Sequence, residues 1–501
     1  MKSLSSLRIN LFASWAAHVV TLVIGFFMMP YVLGILGDST YGMWIMINSI
    51  ASYAGLLHFG FGTTISRYVS THRAQEDWAR LNQIVNLVLA AYSVLGSIVI
   101  VTACVLAWLA PHIHDWEGYS LLEIRLVILL LGFNCAAGMI GSTFGGVLHG
   151  MQRFDLERGV VIASDLVRIC LTLTCLHQNW GMFTLAAIFL TVTLLENGLI
   201  AVLAFRSLPQ LSIRFKYLKL STLRECFGFS FFAFVGNIAS QLIYATDSIV
   251  IGAVLGAKAI VPYYLALRLC QFIRQPVQQI GDVCMPKAGE LHARSESRLL
   301  QQLIERGMGV AVLLISGLFI GAAFFGDALL TTWVGTGYSE AHLVLLVLLG
   351  AQIIALPLGV LRSTMTGMGY VRGPAFMYLA EAVLNVILSL LLIKPMGVMG
   401  VAVGTALPIV FIELGVLLPY CFRNLKFNAM HMFKAVLVPQ VAPLFALFCY
   451  SLFVETHFDI SAGWGKLIPV TIGGGLVLGA VWIGQLFILR SHWFSKSVAT
   501  G

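Results

Sequence analysis

One stretch of the chain is apolar enough to cross a membrane and yet carries charged and amide side chains in its middle. At 100° per residue, the polar side chains of residues 261–286 fall on one arc of a helix, with Arg274 at its edge. The arc comprises Arg268, Gln271, Gln275, Gln278, Gln279 and Asp282. Because such groups are costly in hydrocarbon, the arc is predicted to line a cavity or a packed polar core. Guanidinium groups suit phosphate or carboxylate, and amides suit hydroxyl-rich sugars, so phosphate plus sugar is the expected ligand.

Polar side chains also follow one face of the first, second and seventh predicted spans, and an arginine lies within the tenth. The candidate substrate contacts there are His18, Asn48, His58, Asn237, Gln241 and Arg362. The carboxylates of Asp247 and Asp282 are the candidates for ion coupling. The alternative interpretation of the small and amide side chains on these faces is that they only pack helices together, which is common in membranes.

Three carboxylates and one further arginine lie inside apolar segments. Asp165 and Arg168 are i, i+3 neighbours on one helix and are predicted to neutralise each other. Glu196 and Glu413 occupy equivalent places in the two halves of the chain, where either hydrogen-bonded packing or proton relay fits. Packing is the favoured interpretation.

The composition is that of an integral membrane protein. Of 501 residues, 59% are hydrophobic and 10% are charged, against about 25% charged in soluble proteins. The net charge of +8 comes from cations clustered between apolar segments, as topogenic charge does, so no nucleic-acid partner is predicted. The nine cysteines are scattered, and neither a metal site nor a cofactor is expected.

Fourteen apolar segments each reach the length of roughly 20 residues that a spanning helix needs. They lie near 9–36, 42–69, 83–110, 122–150, 158–178, 182–205, 226–255, 259–285, 302–325, 341–368, 374–393, 397–420, 433–454 and 466–489. Most of the 30 Lys and Arg residues lie at the N-terminus and in every second loop, which predicts that both termini are cytoplasmic. The fold class is therefore all-α integral membrane.

The two halves of the chain match each other at a spacing of about 216 to 219 residues. The matched pairs are Gly37 with Gly256, Gly150 with Gly367, Asp165 with Glu381, Gly181 with Gly397, and Glu196 with Glu413. A repeat of six helices starts and ends on one side, so its copy must run parallel to it, with the substrate site between the halves. The predicted lobes are 1–212 and 213–424, followed by 425–501 with two additional helices and a cytoplasmic tail.

No nucleotide-hydrolysing motif is visible. The nearest string, GAVLGAKA from Gly252, has the wrong spacing for a phosphate loop and lacks its hydroxyl. No loop is long enough for a soluble catalytic domain. A secondary transporter that uses an ion gradient or the membrane potential is predicted, and not an enzyme.

Three segments resemble a known family. PYVLGILGDSTYGMW, LLHFGFGTTISRYVSTHRAQEDWARLNQ and TDSIVIGAVLGAKAIVPYYLA are similar to the polysaccharide transporter family with the Wzx-type flippases, in the superfamily of MATE exporters and MurJ. Asp247 matches the acidic residue of the seventh-helix motif, and Arg67 matches the basic residue that ends the second helix. Unlike those relatives, the first helix here has His18 but neither an arginine nor an acid.

The resemblance implies two V-shaped lobes around a cationic cavity in the bacterial inner membrane. It also implies movement of an undecaprenyl-diphosphate-linked oligosaccharide to the periplasmic leaflet, for O-antigen or exopolysaccharide assembly. The expected partners are this lipid-linked oligosaccharide, membrane lipids, and glycan-assembly proteins such as a polymerase or chain-length regulator.

Two other classes stay open at the level of sequence. A MATE-like, ion-coupled exporter of small molecules predicts an acidic cavity. A membrane enzyme of glycan assembly would need a large outer loop or a His/Asp cluster, and neither is visible.

Overall fold

The computed structural model describes most of the chain, and the described part is helical throughout, with no β-strand. The described residues are 2–58, 61–113, 119–176, 181–217, 223–425, 427–460 and 463–498. The prediction of an all-α membrane protein is confirmed.

The helices form two compact units, Met1–Ile260 and Val261–Gly501. The first contains α1 (Lys2–Ser52), α2 (Phe61–Ala74), α3 (Trp78–Ile113), α4 (Leu121–Gly150), α5 (Phe154–Cys175), α6 (Gly181–Ser207) and α7 (Leu223–Leu255). The second contains α8 (Ile260–Ala293), α9 (Ser297–Val334), α10 (Ser339–Gly367), α11 (Arg372–Ile412), α12 (Leu418–Leu425), α13 (Ala429–His457) and α14 (Trp464–Val498).

Ten helices of the described residues are long and apolar enough to cross a membrane. The segments α5 and α8 are not among these ten, which agrees with the charged side chains that both carry. Large apolar side chains are exposed along α3, α13 and α14, for example Trp108 at 70%, Phe445 at 66% and Leu476 at 68%. Such a surface is stable only against lipid, so the protein is a multi-pass membrane protein.

Two of the long helices are broken by a glycine with positive φ, and each break separates two of the predicted spans. The backbone of Gly37 has φ 72° within α1, and that of Gly397 has φ 59° within α11. A residue with a Cβ would be strained in either conformation. The helical segments that follow are also irregular, with a 3₁₀ turn at Tyr53–His58 and a π-helical turn at Glu413–Leu417.

The repeat-related positions share their backbone conformation. Gly256 has φ 90°, as its counterpart Gly37 has φ 72°, and Gly181 has φ 43°, as Gly397 has φ 59°. The helix ends at Gly150 and Gly367 also close alike. There the amide of Arg153 donates to the Leu148 carbonyl at 2.9 Å, and the amide of Tyr370, 217 positions later, donates to the Met365 carbonyl at 3.0 Å.

Close helix packing repeats at the same spacing. A Cβ on Gly150 would lie 2.8 Å from the Ser66 carbonyl oxygen, and one on Gly367 would lie 2.1 Å from the Met285 carbonyl oxygen. In the first repeat the end of α4 touches the backbone of α2, and in the second repeat the end of α10 touches the backbone of α8. Glycine is required at both positions because no side chain fits between the two backbones.

The boundary between the compact units differs from the boundary drawn from the repeat. The contacts place α7 with the first unit, up to Ile260, whereas the repeat assigns α7 to the second lobe. The compact units are defined by packing, whereas the lobes are defined by the sequence repeat. The lobe boundary at residue 212 stays a prediction.

Two buried asparagines on α3 hold the segment that follows α6. The Asn82 side chain donates to the Gln210 carbonyl at 3.0 Å and accepts from the Ser212 amide at 2.7 Å. Asn86 does the same one turn later, donating to the Ser212 carbonyl and accepting from the Arg214 amide, both at 2.8 Å. The chain leaving α6 is thereby fixed to the first unit as far as Arg214.

Candidate substrate-binding site

The polar arc of α8 contains an exposed arginine flanked by a tyrosine and an amide. Arg268 donates from Nε to the Tyr264 hydroxyl at 2.8 Å and from Nη1 to Gln271 Oε1 at 3.2 Å. Its guanidinium carbon also lies 4.9 Å from the centre of the Tyr264 ring. These contacts orient a planar cation that stays exposed, which is the arrangement that binds phosphate or carboxylate in two-point contact.

The remaining predicted residues of α8 differ in exposure. Gln278 and Asp282 are exposed, whereas Gln271, Arg274 and Gln275 are half-buried. The helix contains Pro276 and Pro286, and proline removes a backbone hydrogen bond from a helix interior. The arc is therefore divided by exposure. Its packed part, within the second unit, is made of Gln271, Arg274 and Gln275, and its exposed residues are Arg268, Gln278 and Asp282.

Arg274 lies on the packed part and belongs to a charge cluster of the second unit. It is electrostatically coupled to Tyr378 and Glu381 on α11 and is repelled by Arg362 on α10. The Arg362 guanidinium contacts the Glu413 carboxylate and lies 3.8 Å from Glu381 Oε2. This cluster has two arginines and two carboxylates, so its formal charge is balanced.

Sequence reasoning did not foresee the pairing of Arg362 with Glu413. Arg362 was predicted as a substrate contact, and the structure places its side chain, 25% exposed, against the side chain of Glu413, 1% exposed. It also stacks over the Tyr378 ring, 5.1 Å from the ring centre. The available signal was the repeat, because Glu381 and Glu413 match a carboxylate pair in the first half.

The first unit contains that matching pair, and there the arginine comes from a different helix. Arg168 on α5 lies 2.8 Å from Asp165 Oδ1, which confirms the predicted i, i+3 pair, and 3.9 Å from Glu196 Oε2 on α6. The Thr21 hydroxyl of α1 donates to Asp165 Oδ2 at 2.9 Å. Each unit thus joins two repeat-related carboxylates through one arginine, from α5 in the first unit and from α10 in the second.

The predicted polar residues of α1 and α7 lie in the first unit. Gln241 donates to the Ser52 carbonyl, and Asn237 is exposed. Asn48 is half-buried and donates to the Trp44 carbonyl of its own helix at 2.9 Å. These contacts bring Gln241 together with the helix that carries Asn48.

Of the two predicted ion-coupling residues, Asp247 is fully buried, with no exposed surface, and Asp282 is exposed. Asp247 is electrostatically coupled to Tyr53, whose hydroxyl pairs with the Thr246 hydroxyl. The side chains of His18 and His58 lie outside the described residues.

The exposed apolar surface and the glycine-broken spans define a multi-pass helical membrane protein. Within that class, the family model described as polysaccharide biosynthesis protein matches residues 7–292, more than half of the chain. The chain therefore belongs to this family of polysaccharide biosynthesis proteins.

Two curated relatives are similar in sequence. The uncharacterized membrane protein EpsK of Bacillus subtilis is 21% identical over 454 residues, covering 87% of each chain. The probable low-salt glycan biosynthesis flippase Agl15 of Haloferax volcanii is 24% identical over 210 residues, covering 42% of this chain and 44% of its own.

Solved structures share the fold. The lipid II flippase MurJ in an inward closed conformation matches with a TM-score of 0.72 at 14% identity, covering 98% of this chain and 100% of its own. An inward-facing multidrug resistance MATE family transporter matches with a TM-score of 0.65 at 14% identity, covering 81% of this chain and 98% of its own. The MurJ- and MATE-like fold predicted from the resemblance is confirmed; the fourteen spans and the cytoplasmic termini stay predictions.

Proposed function

We propose that the protein is a flippase for an undecaprenyl-diphosphate-linked oligosaccharide, an O-antigen or exopolysaccharide repeat unit. It moves this lipid from the cytoplasmic to the periplasmic leaflet of the bacterial inner membrane by alternating access. The observation that carries the proposal is the exposed Arg268 with Tyr264 and Gln271 on the polar helix α8. A planar cation beside an aromatic ring and an amide suits a diphosphate joined to a sugar.

The proposed topology has fourteen spans, with both termini in the cytoplasm. Two parallel repeats of six helices form the lobes, and α13 and α14 are added to the second. The equal turns at residues 153 and 370, and at Gly37 and Gly256, support the repeat. The cargo site is expected between the lobes, as in transporters with parallel repeats.

Transport is proposed to use an ion gradient or the membrane potential. Asp247 is the preferred coupling residue, because its carboxylate is fully buried on α7 beside the Tyr53–Thr246 hydroxyl pair and ionisable residues inside membrane segments commonly serve ion pathways. Asp282 is exposed and is the second candidate. Asp247→Asn keeps the shape and removes the charge, so it is expected to uncouple transport from an imposed gradient while the protein still inserts.

The decisive experiment is deletion of the gene followed by analysis of which lipid-linked oligosaccharides accumulate on the cytoplasmic leaflet. We expect one lipid-linked species to accumulate on the cytoplasmic leaflet, and plasmid-borne protein to relieve the accumulation. Wild-type distribution of lipid-linked oligosaccharides in the deletion strain would reject the function.

The fold shared with MATE transporters keeps an ion-coupled exporter of small molecules as a second candidate. Such an exporter of cationic compounds predicts drug sensitivity on deletion with unchanged surface polysaccharide. The same deletion strain therefore separates the two functions.

A further inference from the structure

The segment that follows α6 runs back toward the membrane along α3. Asn82 holds the backbone of residues 210–212, and Asn86, one turn further along α3, holds the backbone of residues 212–214. Asn82 lies just before the span predicted near 83–110, and Asn86 lies just inside it. The segment therefore descends along α3 to the depth at which the hydrocarbon of the bilayer begins.

The side of α3 beyond Asn86 is exposed and needs no water. Ser93 and Ser97 follow Asn86 by 7 and 11 residues, which places them on the same side of the helix at 100° per residue. Both are exposed, and their hydroxyls donate to carbonyls of their own helix at 2.8 Å and 2.9 Å. Val94 beside them is 62% exposed. This side of α3 is suited to lipid, because its polar groups are satisfied within the helix.

The descending segment exposes one apolar and two basic side chains. Ile213 is 42% exposed, and Arg214 and Lys216 are also exposed. The Lys216 Nζ lies 5.1 Å from the centre of the Tyr217 ring, and the Tyr217 amide donates to the Arg214 carbonyl at 3.1 Å. Within the part of the chain that the structure describes, neither cation forms an ion pair with a carboxylate.

The chemistry of these three side chains matches that of a phospholipid. The guanidinium of Arg214 can hold a phosphate in two-point contact, and the ammonium of Lys216 adds a second positive charge. Ile213 is apolar and lies where the acyl chains begin. The cytoplasmic leaflet carries a negative surface potential because of its anionic lipids, and basic side chains near that surface are attracted to it.

We propose that Ile213, Arg214 and Lys216 form a binding site for the headgroup of an anionic phospholipid. The two cations contact the headgroup phosphate, and the acyl chains lie along the exposed side of α3. Assignment to the cytoplasmic leaflet rests on the proposed topology, whereas the site itself is independent of the cargo. Because the predicted lobe boundary is at residue 212, this lipid would fix the beginning of the linker between the lobes to the membrane surface.

The first experiment measures binding of phosphatidylglycerol and phosphatidylcholine to the full-length protein by native mass spectrometry. We expect the wild-type protein to prefer phosphatidylglycerol. The double variant Arg214→Gln with Lys216→Gln is expected to bind phosphatidylglycerol about fivefold more weakly or less, on the scale of one basic side chain near an anionic surface. Binding of phosphatidylcholine should be unchanged.

The matched control is Arg423→Gln with Lys434→Gln, which removes two exposed cations that are also predicted to be cytoplasmic. Its binding of phosphatidylglycerol should stay at the wild-type level. An equal loss in both double variants, or no loss in the Arg214 and Lys216 variant, would overturn the site.

The second experiment tests whether the segment must be held in place. Asn82→Ala with Asn86→Ala keeps every cation and removes the four hydrogen bonds that position the segment. We expect this variant to lose most of the preference for phosphatidylglycerol, while Asn424→Ala keeps it. A full preference in the Asn82 and Asn86 variant would show an unstructured electrostatic attraction and reject a built site.

Discussion

The Nε–H of Arg268 donates to the hydroxyl of Tyr264 at 2.8 Å, one helical turn earlier on α8. This bond orients the guanidinium, so its remaining donors are presented in a fixed plane. A pre-oriented donor loses less conformational entropy when an anion binds than a freely rotating one. The pair is therefore the part of α8 that we propose contacts the ligand.

Arg268→Ala is expected to lower glycan export about ten- to hundredfold, as follows from a lost charged hydrogen bond of about 1.5–3 kcal/mol. Arg268→Lys should recover only part of it, because lysine keeps the charge without the planar fork. Surface polysaccharide, normalised to the inserted protein, is the measurement. Arg294→Ala is the control, since Arg294 lies directly after the end of α8 at Ala293 and pairs with Glu290 at 3.0 Å. Normal export by Arg268→Ala would remove Arg268 from the site.

Glu413→Gln is expected to destabilise the protein far more than Glu196→Gln. Glu413 is 1% exposed and contacts Arg362, and removing one partner of a buried pair costs about 3–5 kcal/mol. Glu196 is 22% exposed, and Arg168 keeps its closer partner Asp165, so a cost below about 1 kcal/mol is expected. The melting temperature of the purified protein in detergent is the measurement. Equal losses in both variants would contradict the difference in pairing.

Gly367→Ala is expected to disturb the packing of α10 on α8, because its Cβ would lie 2.1 Å from the Met285 carbonyl oxygen. Overpacking of this kind costs about 1–3 kcal/mol. Gly359→Ala on the same helix has no described heavy atom within 4 Å of its Cβ position and should be neutral or stabilising, since alanine favours the helix. Thermal stability of the two variants in detergent separates them, and a stable Gly367→Ala protein would refute the close contact.

The double variant Asn82→Ala with Asn86→Ala is expected to release the segment after α6. Four side-chain to backbone hydrogen bonds to that segment are lost, each of which contributes about 0.5–1.5 kcal/mol. Limited proteolysis should then cut within 208–217 at a higher rate. Asn424→Ala is the control, because its exposed side chain donates to the Tyr420 carbonyl one turn earlier on its own helix, at 2.8 Å. An unchanged cleavage rate in the double variant would show that other contacts hold the segment.

The sequence was sufficient for the class of protein and for the repeat. Hydrophobic segments long enough to span a bilayer predict helices, since no other chain segment satisfies its backbone there. The repeat in the sequence matched Gly37 with Gly256 and Gly181 with Gly397, and all four have positive φ. Positive φ is a local property of the backbone that glycine alone adopts at little cost, so the sequence encodes it directly.

The sequence could not decide which arginines are exposed and which are paired. Arg268 and Arg362 look alike in a hydrophobic profile, but Arg268 is exposed and Arg362 lies between Glu381 and Glu413. The i, i+3 pair of Asp165 with Arg168 was visible because a helix fixes that spacing. The pairing of Arg362 with Glu413 depends on how α10 and the π-helical turn pack, and packing of separate helices has no local signal. The tertiary structure therefore decided that Arg268, Gln278 and Asp282 are the exposed members of the α8 arc, because exposure depends on how the helices pack.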